Sequence, residues 1–191
     1  WDILANTDEP FQFIQQSPIK PTVLYGANHD KVWRSADGGH QWHRILSREL
    51  LPGTTGKISA MKVSRSNPNL LWIAFSGWPD EGRVYQTDDG GQSWEDISRG
   101  LPSGPAYSLE YDQTRQQLFT GTQQGVFVRK HSRQWMTYGS DLPHCRITDL
   151  QLDTEQDLIY AGTLGRGVWQ APLMAADSQP VPDFELSSCT S

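Results

Sequence analysis

Only two of the 191 residues are cysteine, Cys145 and Cys189. Two thiols lying 44 residues apart cannot form a disulfide scaffold or a cysteine-rich zinc site, and whether they pair with each other stays open. Basic clusters are just as scarce. None exceeds the pair Arg129 and Lys130, and 16 basic against 22 acidic side chains leave a net charge of −6. Nucleic acid is therefore a poor partner candidate. No run approaches the roughly 18 apolar residues of a membrane helix, so membrane insertion is not expected. The opening residues Trp1 and Asp2 do not start a basic-then-apolar export segment, and a chain beginning this way, without Met, reads as a piece of a longer polypeptide.

Signals for helix and for common cofactor chemistry are also missing. Only Leu46 to Leu50 suits a turn of helix, and Pro52 ends it. The five histidines show no paired spacing with carboxylates, so no metal is expected. No glycine-rich loop opens a helix as a phosphate site would, and no G-x-S-x-G nucleophile motif occurs. Neither a cofactor nor a catalytic residue can be assigned.

The chain does have turn residues, 17 Gly and 12 Pro, and eight Trp to build a core. Self-similarity organises them. Tyr25, Trp72, Phe119 and Tyr160 are spaced by 47, 47 and 41 residues, and Trp33, Tyr85, Phe127 and Trp169 by 52, 42 and 42. A third set, Trp1, Trp42, Trp94 and Trp135, keeps step at 41, 52 and 41. The unit is thus a cassette of about forty residues, the length of a four-stranded propeller blade. Within one unit, alternation at 58–63, a Ser-Asn-Pro-Asn turn, the runs 70–75 and 83–87, an Asp-Asp-Gly-Gly turn and a return at 94–97 describe an antiparallel meander.

Two of the turns share the pattern S/T-x-D-x-G-x-x-W: Ser35, Asp37, Gly39 and Trp42, then Thr87, Asp89, Gly91 and Trp94. The Asp carboxylate can accept N–H groups across the turn, the Gly takes positive φ, and the Trp covers the hairpin. The stretch from Val128 to Trp135 keeps the Trp but has Lys130 and Ser132 where Asp and Gly belong, so a differently built turn is expected there. This pattern resembles the Asp-box, or BNR, repeat, and the resemblance covers about 1–173. It implies an all-β fold, a β-propeller of four-stranded antiparallel blades, with about four blades here as part of a larger ring. Similar repeats occur in large secreted proteins of Bacteroidetes-like bacteria and, more distantly, in sialidases, xyloglucan-degrading hydrolases, the sortilin luminal domain and photosystem assembly factors.

Complete cassettes are expected at 11–46, 57–98 and 106–138, with three strands at 146–173 lacking a fourth and 1–4 forming a lone fourth strand. That strand either closes the last blade or finishes a blade upstream. Residues 174–182 read as a linker. The segment 183–191 is either a disordered tail or the start of a PKD or Ig-like domain.

Asp37 and Asp89 are expected to hold hairpins and to do no chemistry. One loop stands out as a ligand site. Between its marker aromatics the second unit has 13 residues, against 8, 8 and 9 in the others, and the excess carries Trp78, Asp80, Glu81 and Arg83. An indole beside two acids and a guanidinium can stack on a sugar ring and bind its hydroxyls, although an ordinary long turn would look the same. The expected function is a non-catalytic extracellular or cell-surface bacterial module that binds or displays a glycan or protein. The alternative is a fragment of a xyloglucanase-like or sialidase-like glycoside hydrolase.

Overall fold

The structure is a computed structural model and describes residues 9–51, 53–78, 82–130, 134–139, 141–142, 144–174 and 183–186. Among the described residues, sixteen strands form four antiparallel sheets of four. The first sheet holds β1 (Phe13–Gln16), β2 (Leu24–Ala27), β3 (Lys31–Ser35) and β4 (His43–Ser47). In the second are β5 (Ile58–Val63), β6 (Leu71–Phe75), β7 (Val84–Thr87) and β8 (Glu95–Asp96). The third comprises β9 (Ala106–Asp112), β10 (Gln117–Thr122), β11 (Gly125–Arg129) and β12 (Trp135–Tyr138). The fourth comprises β13 (Ile147–Asp153), β14 (Leu158–Thr163), β15 (Val168–Pro172) and β16 (Glu185–Leu186). A 3-10 turn at Arg48–Leu50 is the one helical segment among the described residues.

The first three sheets are meanders because each connection within them is too short for a crossover; in the fourth, β16 pairs antiparallel with β15 after the longer connection 173–184. The marker aromatics occupy equivalent register, with Tyr25 opposite Arg34, Trp72 opposite Gln86, Phe119 opposite Val128 and Tyr160 opposite Gln170. First strands of successive sheets, β1, β5, β9 and β13, pack side by side, so the sheets radiate as blades from a common axis. No comparable packing joins the fourth blade to the first among the described residues.

Burial follows from this arrangement. Three apolar clusters fill the spaces between successive blades: Tyr25, Ile73 and Phe75 belong to the first, Trp72, Leu118 and Trp135 to the second, and Phe119, Ile147 and Ile159 to the third. Strands β6 and β10, covered on both faces, are buried along their whole length. Outer blades keep a wet face, with Ile14 on β1 and Val168 on β15 exposed to 61 % and 48 %. Polar ties cross the same joints. Gln15 donates to Met61 O and accepts from Val63 N–H, Lys62 pairs with Glu110 at 2.6 Å, and Arg115 bridges Asp112 and Asp157.

The fourth blade differs from the expectation of three strands at 146–173 without a fourth of their own. Its outer strand comes from the segment expected to be a separate tail: β16 pairs with β15, Trp169 opposite Leu186 and Gln170 opposite Glu185. Phe184 is buried edge-on against Tyr138, which gives the segment an apolar anchor. This strand follows no Trp-marked hairpin, so the repeat pattern could not reveal it. The lone strand expected at 1–4, the linker core 175–182 and the end 187–191 lie outside the described residues, as does any pairing of Cys145 with Cys189.

Trp135 joins two blades through both its burial and its indole N–H, which donates to Ile97 O at 2.6 Å. Trp135→Phe leaves that carbonyl without its donor and should cost about 1–3 kcal/mol. Trp135→Ala adds a cavity and should cost about 3–5 kcal/mol. Both are read from the urea midpoint at unchanged slope.

Candidate functional site

The two hairpins of the S/T-x-D-x-G-x-x-W pattern are built alike. Ser35 Oγ donates to Asp37 Oδ1 at 2.8 Å and accepts Gly39 N–H at 2.9 Å, while Gln41 N–H donates to the same carboxylate oxygen at 3.0 Å. In the second blade Thr87 Oγ1 donates to Asp89 Oδ1 and accepts Gly91 N–H, both at 2.8 Å. Gln92 and Ser93 N–H donate to Asp89 Oδ1, and Ser93 Oγ to Oδ2 at 2.6 Å. Gly91 sits at φ +96°, and a Cβ there would lie 2.5 Å from Ile45 of the preceding blade, so the position tolerates no side chain.

These donors act on acidity. The Gln41 N–H and then the Ser35 hydroxyl hold Asp37 below the ordinary aspartate value of 3.8. Asp89 is held far below it, chiefly by the Ser93 hydroxyl, then by Ser93 N–H and the Thr87 hydroxyl. Carboxylates so strongly kept as anions are unsuited to general acid work near neutral pH.

The tryptophans that end the pattern have different partners. Trp94 Nε1 donates to Ile45 O at 3.4 Å, a link to the preceding blade like that of Trp135. Trp42 donates to its own turn at Gly39 O, and Phe11 packs edge-on against its ring at 4.9 Å. Trp1 and the variant turn at 131–133 lie outside the described residues.

The long loop between β6 and β7 presents Trp78 at 72 % exposure. The base of the loop is fixed by Ser76 N–H to Lys57 O and by Gly82 N–H to Asp96 Oδ2. The indole lies over Gly104 in the connection to the third blade, where a Cβ would stand 3.3 Å from the ring. Asp80 and Glu81 fall outside the described residues. Arg83, grouped with them from the sequence, is buried, and its guanidinium donates to Pro102 O at 2.8 Å and Leu101 O at 3.1 Å. It secures the joint between blades two and three, because a buried cation needs acceptors and the Leu-Pro connection offers two carbonyls. The loop thus presents an indole without that cation.

Among the described residues no three His, Cys, Asp or Glu side chains converge as a metal site requires, and no helix is long and apolar enough to cross a membrane. A feature that sequence reading missed is a cleft of about 430 Å³ between blades two and three, floored by Trp72 and Tyr111 and walled by residues from both blades.

Solved structures of the same architecture bear on what this geometry is. The propeller domain of Cps50 (Swd1) from Myceliophteria thermophila superposes with TM-score 0.67 at 14 % identity, covering 92 % of this chain and 58 % of that one. The fold is a β-propeller. A GH74 enzyme from Niastella koreensis matches with TM-score 0.67 at 11 % identity, over 85 % of this chain and 28 % of its own. The extracellular domain of BT4673, by its description a hybrid two-component system of B. thetaiotaomicron, matches with TM-score 0.66 at 18 % identity, over 98 % and 23 %. This propeller chain therefore spans about a quarter of the length of the last two. No family model matches it, and no curated protein does. Identities this low establish the fold alone, because propellers carry unrelated functions.

The lowered Asp37 and Asp89 values set a pH dependence. A carboxyl depressed on folding stabilises the fold fully above its unfolded value of 3.8 and loses that contribution as pH falls through the folded value. Denaturation midpoints should drop between roughly pH 5 and pH 2. Asp89→Asn should flatten the decline more than Asp37→Asn, which urea melts across that range will show.

Proposed function

We propose that this propeller is a non-catalytic module that binds or displays a glycan or protein, in a secreted or cell-surface bacterial protein. The observation that carries this reading is the exposed Trp78, an indole held out on the longest of the four loops that join a blade's second and third strands, while the base of that loop is tied to neighbouring connections. A large aromatic kept in solvent beside a tied loop base suits stacking on a sugar ring or on an apolar patch of a partner. The shared geometry of the two Asp turns supports treating them as Asp-boxes of the BNR type, with their acids spent on backbone N–H groups. Likeness in fold to an extracellular domain fits the proposed location. The wet faces of the first and fourth blades support a larger ring around these four.

Trp78→Ala should remove retention on a glycan array, or on the protein partner, by about tenfold or more. Its thermal midpoint should stay within about 2 °C of the parent, as expected for an exposed side chain. Retention equal to the parent's would refute the assignment. Hydrolysis of a plant polysaccharide or a sialoside by the parent protein, abolished by changing an acid of this chain, would instead make it part of a glycoside hydrolase.

A further inference from the structure

The three joints between blades are built from equivalent positions but are not filled equally. At the first joint Arg34, opposite Tyr25 in the sheet, reaches across to Asn69 Oδ1 at 3.2 Å, and Tyr25 OH donates to Pro68 O at 2.8 Å. The gap there is closed by side chains. At the second joint the residue equivalent to Arg34 is Gln86, and the residue equivalent to Asn69 is Gln116. Gln86 is too short to repeat the bridge, and its Oε1 accepts the Trp72 indole N–H at 2.8 Å within its own blade. The joint consequently opens as the 430 Å³ cleft, a volume within the usual range of small-ligand sites.

Charge in this cleft is sorted by wall. Asp88 and Glu95 line it from blade two, Arg129 and Lys130 from blade three, and Gln86 and Gln116 contribute amides. The two rings below pack on each other at 4.4 Å, and Trp72 is only 3 % exposed, so its indole offers no free face on which a sugar could stack. Acids on one wall and bases on the other match a small ligand that carries both an ammonium and a carboxylate, with the ammonium toward blade two.

We infer that the cleft between blades two and three is a binding site for a zwitterion of amino-acid or dipeptide size. This goes beyond the reading of Trp78 and does not rest on it. Trp78 precedes β7 and Asp88 follows it, so loop and cleft lie at opposite ends of the blade.

The test is a titration of the ¹⁵N-labelled chain with alanyl-alanine. Saturable shifts are expected at the amides of Gln86, Glu95, Gln116 and Lys130, with a dissociation constant of roughly 1 mM or tighter, weakening as salt is raised. N-acetyl-alanyl-alanine amide, which has the same shape without either charge, should bind about tenfold more weakly or not at all. Gln86→Arg rebuilds the first joint's bridge inside the second and should abolish binding with the fold retained. Lys130→Glu, on the surface, should weaken binding about tenfold by making the walls alike in sign. Trp78→Ala should leave it unchanged. Equal shifts with the blocked dipeptide, binding of a neutral disaccharide in its place, no saturable shift with alanyl-alanine, or full binding in both cleft variants would each overturn the inference.

Discussion

Burial of each blade's face against the next is the constraint on which the rest of this molecule depends. A four-stranded sheet has two faces, and here one blade's Tyr25, Trp72 or Phe119 is taken out of water only because the following blade covers it. Strands β6 and β10 show the outcome, since both of their faces are dry. The tryptophans at the fourth-strand position add direction to this non-directional force. Trp94 and Trp135 donate to carbonyls of the preceding blade, which ties the second blade to the first and the third to the second.

With the joints set this way, the aspartates of the repeated turns become structural parts. Their carboxylates accept backbone N–H groups that a tight turn cannot pair internally, and the same bonds keep them ionised. Arg83 shows the same economy of polar groups. It lies within a loop that looks like a ligand site, yet its guanidinium satisfies two carbonyls at the joint between blades.

Repetition also makes deviations informative. Where the first joint has Arg34 and Asn69, the second has Gln86 and Gln116, and the shorter reach of Gln86, spent on its own blade's Trp72, leaves a charged cleft where a bridge would be. The third joint is tied by Arg115 to Asp157 and by Tyr138 OH to Pro172 O. Variation at equivalent positions thus distributes closed and open joints around one scaffold.

The amino-acid order alone determined the all-β class, the repeated cassettes and their hairpin turns, because each rests on local spacing: alternation within a strand, a turn of fixed length, a Trp at a set interval. The long loop that carries Trp78 was legible for a similar reason, as extra residues between two marker aromatics, whereas the exposure of its indole was not. The tertiary structure alone decided the rest. That β16 completes the fourth blade depends on Phe184 finding Tyr138 across a gap in sequence that no periodic signal spans. The burial of Arg83 depends on where the Leu101 and Pro102 carbonyls arrive, and the cleft depends on residues from two blades that are neighbours only through packing. A repeat records what each unit does within itself; what lies between units is set by how their faces meet.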